Sequence, residues 1–281
     1  MRASSHFARR LSSRMANEST HEHSNATDSA GQPWQGRQFE PNSHADDDGS
    51  ADPLVMSALE LFRSFEPMAP QRAAAQAAVV GAIARSRLLV PLIAEPGEVG
   101  VSPNGLVVDK TQELALVTVA GPQGQKVMPA FTSVAAMTKW RVDARPVPVD
   151  ARRAALAAVA EDIAWIVIDP QSDSEFVVRR PAVRAIAQGV EWRPNHADPD
   201  LHAVFEKGVA SDPYVRAIRM VPGDPDARGL SEDLVVQVIL VPNLPQEDVM
   251  GALQALSTAW AGETIFSERV DSMKIQVIPG A

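Results

Sequence analysis

The chain has 281 residues, 45% of them hydrophobic and 22% charged, a balance that excludes a wholly disordered or membrane-embedded protein and allows two ordinary domains. It has no cysteine, which excludes disulfides, thiol nucleophiles and cysteine-ligated metals; four of its six histidines fall in the first 52 residues, leaving only His196 and His202 for a folded site. The net charge of −9 is uneven: residues 197–281 carry thirteen acids against six bases, which argues against nucleic acid as a partner and favours a basic protein.

Residues 1–14 hold four arginines and no acid. They read either as a short organellar targeting peptide or as an over-extended start, with translation beginning at Met15. The longest apolar run, residues 154–160, is too short to span a bilayer, so no membrane association is expected and the default compartment is the cytoplasm. Residues 1–52 read as a disordered acidic arm, because their side chains bury too little surface to offset the entropy of ordering. Within it lies an aromatic patch at residues 33–41, whose Trp34 and Phe39 are candidate docking anchors, in cis or in trans, or else pack on the adjacent domain. Asp46-Asp47-Asp48-Gly49 invites a calcium loop, but Ala51 and Ser57 stand where such a loop needs Gly and Glu, so the run is expected to be solvated and metal-free.

Asp52-Pro53 is an N-cap followed by a first-turn proline, and it opens a domain expected over residues 53–196. Leu54, Val55, Ala58, Leu59 and Phe62 recur at helical spacing, and a second helix fits residues 71–87. Residues 88–94 read as a strand that Pro91 places at an edge or a bulge. Residues 114–120 and 125–131 flank Gly121-Pro122-Gln123-Gly124 as an antiparallel hairpin. Thr132 or Ser133 can cap a short helix through Trp140, and Asp150 can cap a helix over residues 151–161. Strands are expected at 163–168 and 175–179, then a helix at 181–188 closed by Gly189.

A second boundary signal, Asp198-Pro199, opens a smaller domain over residues 197–281. Its helices are expected from Asp198 through Val209 and at 245–261, and its strands at 214–221, 234–241 and 272–278. This αββαβ order, beside a larger domain of mixed, largely antiparallel sheet with helices, places the chain in the α+β class.

The search for chemistry is mostly negative. No phosphate loop, dinucleotide fingerprint, nucleophile elbow or H-E-x-x-H occurs; Gly100-Val101-Ser102-Pro103 has the wrong spacing for an elbow. No catalytic residue, cofactor or metal is assigned. His202, one turn after Asp198, reads as a surface histidine. Two basic clusters stand out, Arg152-Arg153 and Arg179-Arg180 with Arg184. The second is the candidate binding cluster, since guanidinium forks suit a carboxylate, a phosphate or the protein's own acidic arm.

Several segments together resemble a known family: Leu88-Leu89-Val90-Pro91-Leu92; Met128-Pro129-Ala130-Phe131-Thr132-Ser133 followed by Met137 and Trp140; and Ile166-Val167-Ile168-Asp169-Pro170 with Phe176-Val177-Val178. They look like the SseB N-terminal domain. The remainder from about Asp198 looks like the smaller domain that accompanies it, and residues 34–48 are similar to the arm of actinobacterial members. Asp169 departs from the pattern, standing where Asn-Pro is more usual. The resemblance implies an α+β binding or scaffold domain and brings no catalytic residue with it. The expected function is therefore a non-catalytic interaction, regulatory or scaffold module for a protein partner, basic by electrostatic match. The alternative is a hydrolase-like or ligand-binding enzyme using Asp, Glu, Ser and Lys, for example Asp109-Lys110.

Overall fold

Chain order in the computed structural model begins with two antiparallel helices, each opened by a proline whose missing N–H costs nothing at a helix start. The structure describes residues 44, 46–92, 100–101, 107–108, 117–122, 124–210 and 212–279. Helix α1 (Pro53–Ser64) is capped by Asp52, whose carboxylate accepts from the Leu54 amide at 2.8 Å, and it buries Val55, Leu59 and Phe62. Helix α2 (Pro70–Arg85) buries Val79, Val80 and Ile83. Strand β1 (Arg87–Leu92) follows directly, then the two-residue strands β2 (Gly100–Val101) and β3 (Val107–Val108). Strands β4 (Val119–Ala120) and β5 (Lys126–Ala130) form the expected antiparallel hairpin. Next come α3 (Val134–Trp140), β6 (Arg145–Asp150), α4 (Ala151–Ala160), β7 (Trp165–Ile168), β8 (Phe176–Val178) and α5 (Arg180–Gln188). Gly189 closes α5 at φ 72°, a left-handed position that glycine occupies without a Cβ clash.

The main sheet runs β4-β5-β7-β8, with β5 and β7 parallel and the outer pairs antiparallel. The β1–β6 pair joins it through one bridge, Leu89 to Phe131, in which each backbone N–H donates to the other's carbonyl at 2.8 and 2.9 Å. Strand β6 was not expected, because Pro146 and Pro148 argue against a strand. The register explains it. Leu89 faces Pro148 across the pair, yet it spends both of its backbone groups on Phe131, so Pro148 owes β1 no hydrogen bond; Pro146, two residues away opposite Pro91, shares that phase. Asp150 stands at the start of α4 but makes no cap bond; its carboxylate lies 3.3 Å from His44 Nε2 instead.

The C-terminal segment is a separate layer pair. Helix α6 (Pro199–Val209) is capped by Asp198, which accepts from the amides of Asp200 and Leu201. Strands β9 (Val215–Pro222) and β10 (Leu234–Leu240) pair antiparallel, and α7 (Gln246–Ala261) and α8 (Thr264–Arg269) lead to β11 (Met273–Pro279), parallel to β10. Alternate β10 residues Leu234, Val236, Val238 and Leu240 are buried with Leu201, Phe205, Leu256 and Trp260. A distinct core gathers Phe62, Val79, Ile83, Met128, Ile168 and Phe176. The architecture is α+β with mixed, largely antiparallel sheets, and the smaller segment follows the αββαβ order with α8 added before the last strand. No helix among the described residues is long and apolar enough to cross a membrane.

Candidate functional site

The Phe131-Thr132-Ser133 segment is a joint between strand and helix. Phe131 is fully buried beside Trp140, with ring centroids 5.3 Å apart, and Ser133 Oγ accepts from the Ala136 amide at 3.1 Å as the N-cap of α3. Thr132 donates to Asp169 twice, from its amide to Oδ1 at 2.8 Å and from Oγ1 to Oδ2 at 2.7 Å; Ser174 Oγ adds a third bond at 2.8 Å. Asp169 is buried and sits at φ 45°, so its side chain locks the ends of β5 and β7 together. A carboxylate accepts all three donors at once, which accounts for an acid at this position.

Arg179, between β8 and α5, is the centre of a second and larger cluster. Its Nη2 donates to Asp224 Oδ2 at 2.8 Å and to the Ser231 carbonyl, Nη1 lies 3.3 Å from Asp271 Oδ2, and Nε lies 3.7 Å from Asp233 Oδ1. The guanidinium also stacks over Trp165 at 4.9 Å, while Trp165 Nε1 donates to Asp271 Oδ2 at 2.8 Å. Asn195 Nδ2 donates to Asp233 Oδ2 at 2.6 Å. Burial pushes the Asp233 carboxyl up to about 6 against the pull of Arg179, and burial pushes the neighbouring His196 imidazole down to about 4. The free space at this cluster is only about 10 Å³, room for a single water and not for an organic ligand. The guanidinium is thus committed to carboxylates of the chain's own C-terminal segment.

The same segment clips a second arginine. In the β9–β10 loop, the Pro225 carbonyl accepts from Arg72 Nε at 2.9 Å, Asp226 Oδ1 accepts from Arg72 Nη2 at 2.6 Å, and the Ala227 carbonyl accepts from the Val177 amide on the outer edge of β8 at 2.7 Å. The loop can close this tightly because residue 223 is glycine: a Cβ there would collide with the Glu232 carbonyl.

An open groove of about 750 Å³ lies beside α5, lined among others by Arg184, Glu191, Trp192, Arg193, Glu268 and Arg269. Arg269 is held by Asp198 and Asp200 at 2.5 and 3.3 Å. Arg184 reaches the Ser267 carbonyl at 3.5 Å, and Arg193 is exposed. Trp192 packs one part of its ring against the main core and also lines the groove. A second cleft of about 370 Å³ is walled by Met68, Met220, Pro222 and Pro225.

The candidate residues are therefore dispersed. Arg179 is buried in the aspartate cluster; Arg180 is half exposed, 3.9 Å from Asp271 and 4.0 Å from Asp162; Arg184 faces the groove. Trp34, Phe39, Ser102, Asp109 and Lys110 lie outside the described residues. His202 meets Glu206 at 3.5 Å, a surface pair one helical turn apart. Among the described residues no group of acids and histidines is arranged to hold a metal. Asp47, expected to be solvated, is instead mostly buried, bonded to the Arg87 guanidinium and the Gly49 amide, and the bond from Arg87 holds its carboxyl below the usual range. Trp192, Arg193 and Arg269 were missed because their role depends on α5 and α8 meeting, which no local pattern encodes.

Against known families, one result is positive. Residues 65–185 match the SseB protein N-terminal domain. No curated protein and no solved structure matches the chain. The SseB N-terminal match takes in α2, the main sheet, the Thr132–Asp169 joint and all three arginines of the candidate cluster. It stops before Asp224, Asp233 and Asp271, the partners of Arg179, so the aspartate cluster ties the matched segment to residues outside it.

Proposed function

We propose that this chain is a non-catalytic interaction module of SseB type, which holds a segment of a protein partner in the groove beside α5. The observation that carries the reading is the groove itself: about 750 Å³, within the range of built binding clefts, offering an aromatic face at Trp192 among charges of both signs. Trp and Arg dominate the energetics of small interfaces, and here Trp192 is anchored from behind by the core, so little ordering entropy opposes its use. The acidic surplus of residues 197–281 steers a basic partner toward this end of the molecule. Residues 198–281 are read as the domain that accompanies SseB N-terminal domains, on the order α6-β9-β10-α7-β11, and the setting is read as the cytoplasm.

The test is cross-linked affinity capture from the native cell with the full chain, with Trp192→Ala plus Glu191→Arg, and with a control change at exposed Leu230. The groove variant should lose a partner that the parent and the Leu230→Ser control both retain. Equal recovery by all three proteins would remove the groove from the reading.

A further inference from the structure

Among the described residues, the strand edges of the main sheet, of the β1–β6 pair and of the C-terminal sheet are protected with one exception. β4 has only two residues, and the outer edge of β8 is occupied by the Ala227 carbonyl. β6 presents prolines at its outward-facing positions, by the phase set at Leu89. β9 carries Arg216 and Arg219, and its register shifts beside Leu240. β11, at the other edge of the same sheet, has none of these devices. It runs seven residues in unbroken parallel register with β10, has no proline before Pro279, and bears one charge, Lys274. Ile275 is half-buried, and Lys274, Gln276 and Val277 are exposed.

We infer that the β11 edge pairs with the β11 edge of a second copy of this chain, antiparallel and centred on Gln276, to make one continuous six-stranded sheet. This inference is independent of the groove. Two features of that register select a second copy as occupant. In that register Lys274 faces Ile278 of the partner subunit, so the one charge on the strand never meets itself, and Ile275 faces Val277 of the partner subunit. Gln237 Nε2 already donates to Gln276 Oε1 at 3.2 Å across β10 and β11, and the pairing sets Gln276 beside the partner's Gln276, which carries the amide ladder across the two-fold axis. On the crossover helix α7, Gly251, Ala255 and Ala259 are exposed, and nothing stands within 4 Å of a Cβ added at Gly251.

The test is the mass of the full chain by sedimentation equilibrium over a wide concentration series, for the parent, Gln276→Lys, Gln276→Glu, and an equimolar mixture of the two variants. The parent should approach twice 30.1 kDa, each variant alone should stay at 30.1 kDa because like charges are placed directly opposite, and the mixture should regain the doubled mass. Thermal unfolding of the monomer should change little, since residue 276 is exposed and its bond from Gln237 lies on the surface. A parent that remains at 30.1 kDa overturns the inference, and that is the result if the edge instead receives an extended segment of another protein. A doubled mass in either single variant, or a mixture that stays monomeric, overturns it as well.

Discussion

Two residues that line the small cavity at the Arg179 guanidinium titrate in opposite senses. Folded Asp233 ionises near pH 6 and its unfolded counterpart near 3.8, so between those values the folded chain holds a proton that the unfolded chain has released, and this residue favours the fold as pH falls. Folded His196 protonates near pH 4 and the unfolded residue near 6.5, so in almost the same window the unfolded chain holds the extra proton and the fold is disfavoured as pH falls. The two slopes oppose each other, and the pair should leave stability nearly flat between about pH 4 and 6. Asp233→Asn removes the first slope, and relative to the parent its urea midpoint should drop on acidification. His196→Gln removes the second and should rise on acidification. Midpoints measured at several pH values across the window decide it, and shifts of the same sign in both variants would refute the assignment.

At the level of the elements, α1, α3 and α6 start on side-chain caps that sequence makes visible, and Ser133 gives the direct test. Ser133→Ala removes the bond to the Ala136 amide and should lower stability by about 1 kcal/mol, whereas Phe131→Ala empties a fully buried site and should cost about 3–5 kcal/mol, both read by denaturant titration. Caps, the first-turn prolines Pro53 and Pro199, and the left-handed Gly189 are local, and so the helices they bound were legible with little error. β6 was not, since whether Pro146 and Pro148 break a strand depends on which of its residues must donate to β1, and that phase is fixed by Leu89 pairing with Phe131 far away in sequence. The candidate cluster shows the same division. That Arg179 suits a carboxylate, a phosphate or the acidic arm followed from the guanidinium; that it meets Asp224, Asp233 and Asp271 depended on a tertiary contact with no periodic signature.

For the whole molecule, that meeting decides cooperativity. Two cores are separately filled, and the buried contacts joining them concentrate on Arg72, Trp165 and Arg179. Arg179→Ala takes away the cation shared by three buried carboxylates, of which Asp271 keeps Arg180 at 3.9 Å, a loss on the order of 3–5 kcal/mol. Calorimetry should then show the single unfolding transition split in two, with the smaller segment melting first; a single transition at lowered temperature would mean that the cores are coupled by other contacts. The clasp on the edge of β8 also has a consequence for synthesis. Ribosomes deliver the main sheet long before residues 223–233 emerge, so each nascent chain passes through an interval in which the β8 edge is bare and Arg72 and Arg179 have yet to meet their aspartates. Translation speed across the stretch between β8 and β10 sets how long that edge stays open to neighbouring nascent chains, which makes the yield of correctly folded protein sensitive to codon choice there.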